Sequence, residues 1–281
     1  MTQDLAKAAE PASDLSRICA EIRGELVRMS NRGKTPHLAS SLSCVDAVVA
    51  AYWAVLAVDP LRPDDPDRDR FVLSKGHAAT TLYAALAHRG YFPTEYLETE
   101  YNVDGGKLAE HPGPRCVPGV EAATGSLGHG LPIGIGMALA GRIQGRTYRV
   151  YALMSDGECN EGSVWEAAMF APKRGLDNIC VVIDYNKWQA TDRSNDVMAL
   201  QPLREKWEAF GWSAHEIDGH DLDALIELMR DVPDGSGSPV AIVANTVKGK
   251  GVSFMEDDNN WHYRVPTDEE VQQALRELGL A

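Results

Sequence analysis

The feature that most constrains the fold is a regular alternation of short apolar runs with helical patterns. Apolar runs at 148–154, 178–184 and 240–245 are bounded by turn residues, which is typical of strands buried in a parallel sheet. Helical patterns at 163–174 and 221–231 lie between them. This order predicts an α/β fold with a mostly parallel sheet and helices on both faces.

The other segments fit the same scheme. The pattern predicts further helices at 13–31, 43–58, 77–89 and 202–210, strands at 70–73 and 212–217, and a Pro-rich loop at 59–69. We expect residues 1–281 to form a single domain, with an N-terminal helical segment at about 1–60 and an extended C-terminal segment at about 246–281. Such sheets bind ligands at the carboxyl ends of their strands, so residues that follow strands are the first candidates for function.

Charge and cysteine content exclude several classes of function. A formal net charge of −14 disfavours a nucleic-acid partner, and an anionic ligand would need local donors or a metal. No apolar run approaches the roughly 20 residues of a membrane span, and the N-terminus lacks the order of a secretory signal. The five cysteines show no C-x-x-C pair, which predicts free thiols and a cytoplasmic location.

The strongest local signal lies after two neighbouring strands. LMSDGECNEG at 153–162 follows one strand, and DYNKW at 184–188 ends the next. Asp-Gly alone is a common turn, but here Asp156 and Asn186 bring two oxygen-bearing side chains to adjacent strand ends. Mg²⁺ combines one or two such ligands with phosphate oxygens and water.

A Mg²⁺ site with a diphosphate is therefore predicted, and another divalent cation is also possible. Asp156 would supply charge, Asn186 an amide oxygen, and the backbone carbonyl of Trp188 a third ligand. The backbone N–H groups of Gly157 and Glu158 would hold phosphate oxygens. The metal would also reconcile an anionic ligand with an acidic protein.

These residues resemble the fingerprint of thiamine-diphosphate enzymes, with Ser155 in place of the usual first glycine. Further segments are similar to transketolase: RDRFVLSKGHAATTLYAAL at 68–86, EHPGPRCVPGVEAATGSLGHGLPIGIGMALA at 110–140, NEGSVWEAA at 160–168, TVKGKGVSFMEDDNNWH at 246–262, and His37 in HLASSLS. The resemblance covers nearly the whole chain. It implies the thiamine-diphosphate-binding fold and, as cofactors, thiamine diphosphate with Mg²⁺.

The resemblance also implies roles for four histidines. His77 corresponds to a diphosphate contact and His111 to a residue that binds hydroxyls of the sugar donor. His262 is similar to a histidine shared between the diphosphate and the substrate channel, and His37 to a proton-handling residue over the reacting centre. The flanks of His37 depart from the family because Pro36 replaces a glycine and restricts the backbone.

A glycine turn and one acid complete the implied site. Gly125, Ser126 and Leu127 would lie against the cofactor, and Glu161 would join a carboxylate network across a subunit interface while starting a helix. We assign no ligand to the remaining histidines, His88, His129, His215 and His220.

The resemblance further implies a partner. In transketolases the glutamate that activates the pyrimidine lies in a second domain, and the 281 residues leave no room for it. We therefore expect a complementary pyrimidine-binding, C-terminal subunit, an α2β2 assembly, and sugar or sugar-phosphate substrates. The expected reaction transfers a two-carbon ketol unit from a ketose to an aldose.

Three alternatives remain open. One is the alpha subunit of a thiamine-dependent 2-oxoacid dehydrogenase, which shares the metal fingerprint but not the three histidines His77, His111 and His262. A synthase of deoxyxylulose phosphate is normally one longer chain. The third is a non-catalytic regulatory subunit that binds the cofactor, against which the intact polar site residues argue.

Overall fold

The computed structural model describes residues 12–281, and its centre is a five-stranded sheet in which every neighbouring pair is parallel. The strands are β1 (Arg70–Leu73), β2 (Val150–Ser155), β3 (Ile179–Tyr185), β4 (Ser213–Asp218) and β5 (Val240–Asn245). Their order across the sheet is β1-β2-β3-β5-β4. The predicted parallel sheet is confirmed, and each predicted strand lies within two residues of its expected start.

Helices cover both faces of this sheet. The α-helices are α1 (Ala12–Gly33), α2 (Leu38–Ser43), α3 (Val45–Val49), α4 (Ala79–His88), α5 (Tyr96–Thr99), α6 (Gly130–Ile143), α7 (Gly162–Lys173), α8 (Ser194–Val197), α9 (Leu203–Ala209), α10 (Leu222–Arg230) and α11 (Asp268–Glu277). Alternate side chains of a strand point to opposite faces. In β2, Tyr151 and Leu153 pack into the core that contains α1, α4 and α10, whereas Ala152 and Met154 pack against α6, α7 and α9.

The helix predicted at 43–58 is wrong as a single element. The chain forms α2 and α3 with a break at Cys44, and then a π-helix at Ala50–Val55. Ser43 lies at the break, and its hydroxyl donates to the carboxylate of Asp184 on β3 at 2.6 Å. The predicted start at residue 43 lies beside this break, and the change to a π-helix at Ala50 is the part that the apolar pattern did not indicate.

Two further segments differ from the prediction. The helix expected from 77 begins as a 3-10 turn at Gly76–Ala78 before α4. The C-terminal segment 246–281, which we predicted only as extended, contains α11, capped by Thr267 and Glu270 in a reciprocal capping box.

Two predictions concern the N-terminal segment and the number of domains. The part of the predicted N-terminal helical segment at 1–11 lies outside the described residues, and the single-domain assignment stays a prediction. Within residues 12–281, none of the helices has the length and apolar character needed to span a bilayer.

Candidate cofactor site

The carboxyl ends of β2 and β3 bring Asp156 and Asn186 together. Ser155 pairs with Asp184 in the parallel register, so Asp156 and Asn186 leave the sheet side by side, one and two residues beyond that pair. Both are buried, with 1% and 3% of their surfaces exposed. Asp156 and Asn186 therefore lie at the same edge of the sheet, as predicted from the two strand ends.

A buried ion pair between Lys75 and Asp184 lies at this edge of the sheet. The Lys75 ammonium, which follows β1, donates to the Asp184 carboxylate and to the backbone oxygen of Ser40 at 2.7 Å. Ser43 and Thr246 also donate to Asp184. Burial opposes ionisation, but Lys75 and these donors hold the pKa of Asp184 below its usual value. This pair was not predicted from the sequence, although a lysine at a strand end in the apolar RFVLSKG segment is a usable signal.

Asp156 is equally buried but has no such cation. Its Oδ1 accepts from Gly157 N at 2.8 Å, and its Oδ2 from Lys187 N at 3.0 Å and Ser194 Oγ at 2.8 Å. Burial nevertheless raises the pKa of Asp156 to about 7. A carboxylate in this state is stabilised by a cation placed against it.

The donor set at this edge fits a hard divalent ion. Asn186 Nδ2 lies 3.4 Å from Asp184 Oδ2, which orients the amide so that Oδ1 faces the opposite way and accepts from Trp188 N at 3.1 Å. The Trp188 carbonyl oxygen accepts no hydrogen bond from residues 12–281. Across the same range no cluster of three or more His, Cys, Asp or Glu side chains can hold a metal. An ion here would thus combine the single Asp156 carboxylate with amide, carbonyl and phosphate oxygens, as Mg²⁺ does.

The turn after Asp156 is a 3-10 helix, Asp156–Asn160, and not the start of α7. Ser155 and Glu158 form a capping box in which each side chain accepts from the other's backbone N–H. This pairing explains the serine in the first fingerprint position. The N–H groups of Gly157 and Glu158 thus have acceptors within the protein, and a phosphate would have to compete for them.

Glu158 also fixes the glycine turn. Its fully buried carboxylate accepts from Gly128 N at 3.0 Å and from the Ser74 hydroxyl. Gly125 and Gly128 both have positive φ, and a Cβ on Gly128 would lie 2.6 Å from Glu161 Cβ. The turn is therefore held between the ends of β1 and β2.

The other predicted residues of this region lie around the same turn. Ser126 is exposed and Leu127 is half-buried at the tip. Glu161 is exposed and is the N-cap residue of α7, although its side chain makes no capping bond.

The four predicted histidines form one cluster, although they come from four separate segments of the chain. The ring centroid of His37 lies 5.5 Å from His77, 6.2 Å from His111 and 5.0 Å from His262. His37 adopts a left-handed conformation at φ 67°, and its N–H donates to the carbonyl of His262 at 2.8 Å. The proline before His37 therefore does not keep its ring out of the cluster.

The glycine turn reaches this cluster directly. A Cβ on Gly125 would lie 2.7 Å from the His111 ring, so only glycine leaves room for that ring. The glycine turn and the histidine cluster are therefore in direct contact.

A buried lysine, Lys248, contacts both the histidine cluster and the segment that follows Asn186. The Lys248 ammonium lies 3.0 Å from His262 Nδ1, 2.7 Å from Asn259 Oδ1 and 3.4 Å from the Gln189 carbonyl. Burial lowers the pKa of Lys248 to about 8, and burial beside this ammonium lowers the pKa of His262 to about 3. His262 is therefore neutral, and its Nδ1 accepts from Lys248.

Lys248 forms no salt bridge with a carboxylate of the described residues, so it is a buried cation available to an anion. Sequence analysis missed it, although the lysine precedes glycine in the KGKG segment after β5. Burial and the nearby Lys75 also lower the pKa of His77 well below its usual value.

The remaining histidines take no part in the cluster. His220 is held between the Asp46 carboxylate, at 2.7 Å, and Val247 N, which donates to its Nε2 at 2.9 Å. His129 Nδ1 lies 3.1 Å from the Leu127 carbonyl. His88 ends α4, and His215 lies on β4.

A parallel α/β sheet with a carboxylate–amide pair, a glycine turn and a buried lysine at one edge defines a cofactor-binding domain of the thiamine-diphosphate type. The chain belongs to the transketolase family, a family of transferases: residues 16–281 match the family model described as "Transketolase, thiamine diphosphate binding domain".

Several curated relatives match almost end to end. The chain is 40% identical over 256 residues to a subunit of apulose-4-phosphate transketolase from Phocaeicola vulgatus, covering 91% of this chain and 90% of that protein. It is 42% identical over 242 residues to "6-deoxy-6-sulfo-D-fructose transketolase subunit SqwG" of Clostridium sp. strain MSTE9, covering 86% and 88%.

Solved transketolases share the fold over a part of their length. The structure of transketolase from Leishmania mexicana superposes with a TM-score of 0.88 at 26% identity. The match covers 94% of this chain but only 41% of that one. The chain therefore spans less than half the length of this solved relative.

Proposed function

We propose that this chain is the diphosphate- and Mg²⁺-binding subunit of a two-component transketolase, which transfers a two-carbon ketol unit from a ketose or ketose phosphate to an aldose. The observation that carries the proposal is the meeting of His37, His77, His111 and His262 beside the strand edge that holds Asp156 and Asn186. One set of residues suits a metal diphosphate, and the other suits hydroxyl recognition and proton transfer.

In this proposal the metal is held by Asp156, by the Asn186 amide oxygen and by the Trp188 carbonyl. Support comes from the buried Asp156 carboxyl, which lacks a cation, and from the Trp188 oxygen, which has no donor among the described residues. When bound, the cofactor supplies the carbon nucleophile that accepts and passes on the two-carbon unit.

The diphosphate would be bound at the junction of the two clusters. Lys248 offers a buried positive charge beside a ring nitrogen of His262, and the His77 ring lies next to His262, with centroids 6.3 Å apart. The turn at Gly125, Ser126 and Leu127 would lie against the cofactor, with Gly157 and Glu158 at the neighbouring strand end. A charged donor buried in this way binds phosphate strongly because little water competes.

The sugar would lie over the outer part of the histidine cluster. His111 comes from a Pro-Gly loop and would bind donor hydroxyls, because a neutral imidazole both donates and accepts. His37 would hold or accept a proton near the reacting carbon, since burial keeps its pKa below the usual value.

A complementary subunit would supply the pyrimidine-binding side of the site. Support comes from relatives that are named as individual transketolase subunits and match this chain over about 90% of their own length. We propose an α2β2 assembly, with Glu161 on the interface because it is exposed beside the glycine turn. Five free cysteines, four of them buried, support a reducing, cytoplasmic location.

The deciding experiment is a coupled ketose-to-aldose transfer assay with this chain, the complementary chain and their mixture. We expect turnover and tight cofactor binding only in the mixture, because each chain holds one end of the cofactor. Robust turnover by this chain alone at high purity would contradict the two-component proposal.

A second experiment separates two histidines. His111→Ala should lower the turnover of ketose donors and leave cofactor affinity nearly unchanged, whereas His77→Ala should also weaken cofactor binding. Kinetics and calorimetry on the mixture give both quantities. Identical profiles for the two variants would show that the assigned roles are wrong.

The runner-up function is the alpha subunit of a 2-oxoacid dehydrogenase. That reaction needs no recognition of sugar hydroxyls, so the histidine cluster favours ketol transfer. Oxidative decarboxylation of a 2-oxoacid by the mixture, measured as release of carbon dioxide with reduction of an added electron acceptor and without ketol transfer, would reverse this choice.

A further inference from the structure

An acidic side chain lies at the mouth of the histidine cluster and has no role in the site described above. Glu110 directly precedes His111, and its Oε1 lies 3.1 Å from His37 Nδ1. Its side chain is 34% exposed, and His37 is its one hydrogen-bond partner among residues 12–281. The carboxylate therefore acts on His37 and contributes little to the packing of the loop.

This contact determines which nitrogen of His37 carries the proton. An ionised carboxylate only accepts hydrogen bonds, so the Nδ1 that faces it must be protonated. In a neutral ring Nε2 then has a free lone pair. The backbone of His37 is fixed by its bond to the His262 carbonyl, so the contact with Glu110 also restrains rotation of the ring.

We infer that Glu110 is a positioning residue that holds His37 as the Nδ1–H tautomer, with Nε2 left as the proton acceptor. The inference deepens the proposed function, on which it rests for the role of His37 in the reaction. The tautomer itself can be measured without that reaction.

Among the described residues, Glu110 is the one carboxylate in direct contact with the His37 ring. The groups that face the ring are Glu110, His77, His111, His262, Tyr263 and Lys248. Burial, His111 and Lys248 lower the pKa of His37, and Glu110 raises it. The balance lies below the usual value, so the ring is neutral at neutral pH and its tautomer matters.

Two substitutions separate the hydrogen bond from the charge. Glu110→Gln keeps an oxygen that accepts from Nδ1 but removes the charge, whereas Glu110→Ala removes both. Glu98→Gln is the matched control, because Glu98 is 67% exposed on α5 and pairs with Arg32, away from the cluster. All three remove one negative charge.

The direct test is nitrogen-15 NMR of the histidine rings in the full chain across a pH series, with His37 assigned by His37→Gln. We expect the Nδ1–H pattern for the wild type, Glu110→Gln and Glu98→Gln, and a tautomer mixture for Glu110→Ala. The pKa of His37 should fall in both Glu110 variants and stay unchanged in the control. An unaltered tautomer in Glu110→Ala would overturn the inference.

Kinetic measurements on the mixture of this chain and the complementary chain test the positioning role of Glu110 separately from the proposed function. If ketol transfer occurs, Glu110→Ala should lower kcat roughly tenfold with little change in KM, and Glu110→Gln should lose less. If the tautomer shifts while no transfer is found with any partner, the proposed function fails and the positioning role stands. If transfer occurs and the Glu110→Ala profile matches the wild type, the positioning role has no part in the reaction and the inference fails.

Discussion

Asp184 and Asp156 are buried to the same extent at neighbouring strand ends, yet their ionisation is shifted in opposite directions. Asp184 faces the Lys75 ammonium and has a lowered pKa, whereas Asp156 faces only neutral donors and has a pKa raised to about 7. Both carboxylates accept several hydrogen bonds. The difference is therefore direct contact with the ammonium, because Lys75 pairs with Asp184 and acts on Asp156 only from a distance, while the charge of Asp184 raises the pKa of Asp156.

This contrast separates a structural carboxylate from one suited to a ligand. Asp184 ties β1, α2 and β3 together through its partners, so its charge is already compensated. Asp156 leaves the same edge with an uncompensated site, and a metal ion would complete it. The two side chains are equally buried, so burial alone does not separate the structural carboxylate from the one suited to a ligand.

The largest effect expected from this comparison is the loss of the structural pair. Asp184→Ala leaves the Lys75 ammonium buried without an anionic partner, which should lower the free energy of unfolding by about 3–5 kcal/mol. Urea denaturation measures this quantity. The control is a double variant, Lys75→Met with Asp184→Leu, which should be clearly more stable than Asp184→Ala. A loss below about 1 kcal/mol in the single variant would mean that the pair is not structural.

The next effect concerns pH. Folding raises the pKa of Asp156 from 3.8 to about 7, so the folded chain binds the extra proton between these values. The free energy of unfolding of the metal-free chain should therefore fall as pH rises through this window, by up to about 1.4 kcal/mol per unit from this group. Urea denaturation in EDTA should show a flatter profile for Asp156→Asn. Parallel profiles for the two proteins would contradict the assignment.

Cofactor binding gives the third test. Asp156→Ala and Asn186→Ala each remove an oxygen ligand from a site with few protein ligands, so the affinity for thiamine diphosphate should fall at least tenfold, or about 1.4 kcal/mol. Calorimetric titration of the assembled enzyme, with and without Mg²⁺, measures this. Asp223→Ala, on the exposed face of α10, is the matched control. Equal binding of the wild type in EDTA and in Mg²⁺ would show that no metal is needed.

The smallest expected effect concerns the hydrogen bond from Ser194 to Asp156. Ser194→Ala removes the hydroxyl that donates to Asp156 Oδ2 at 2.8 Å, at a cost of about 1 kcal/mol. The pKa of Asp156 should rise further, because that hydroxyl lowers it. The fall in the free energy of unfolding with rising pH should therefore extend to higher pH than in the wild type. A fall that ends at lower pH would contradict the role given to Ser194.

The sequence allowed the positions of Asp156 and Asn186 to be predicted, because buried parallel strands have strong apolar patterns and end at one edge. It did not reveal the contact between Lys75 and Asp184, since a local pattern does not show which buried charges will pair. Glu110 was missed for the same reason: it lies in a loop, and its significance depends on His37, which is distant in the chain.

Helix boundaries also divide into those that a local sequence signal predicts and those that depend on tertiary contacts. α11 has a readable start signal, Thr267 followed three residues later by Glu270, and it could have been predicted. The contact between Ser43 and Asp184 beside the break at Cys44 could not, because it is tertiary.

The backbone bond from His37 to the His262 carbonyl has a consequence for synthesis on the ribosome. It joins residues near opposite ends of the described chain, so the histidine cluster cannot close until the segment after β5 has emerged. Chains fold from the N-terminus during synthesis, and contacts of such high sequence separation form late. The sheet needs β5 but not the segment that follows it, so a nascent chain can complete its sheet before its histidine cluster is assembled.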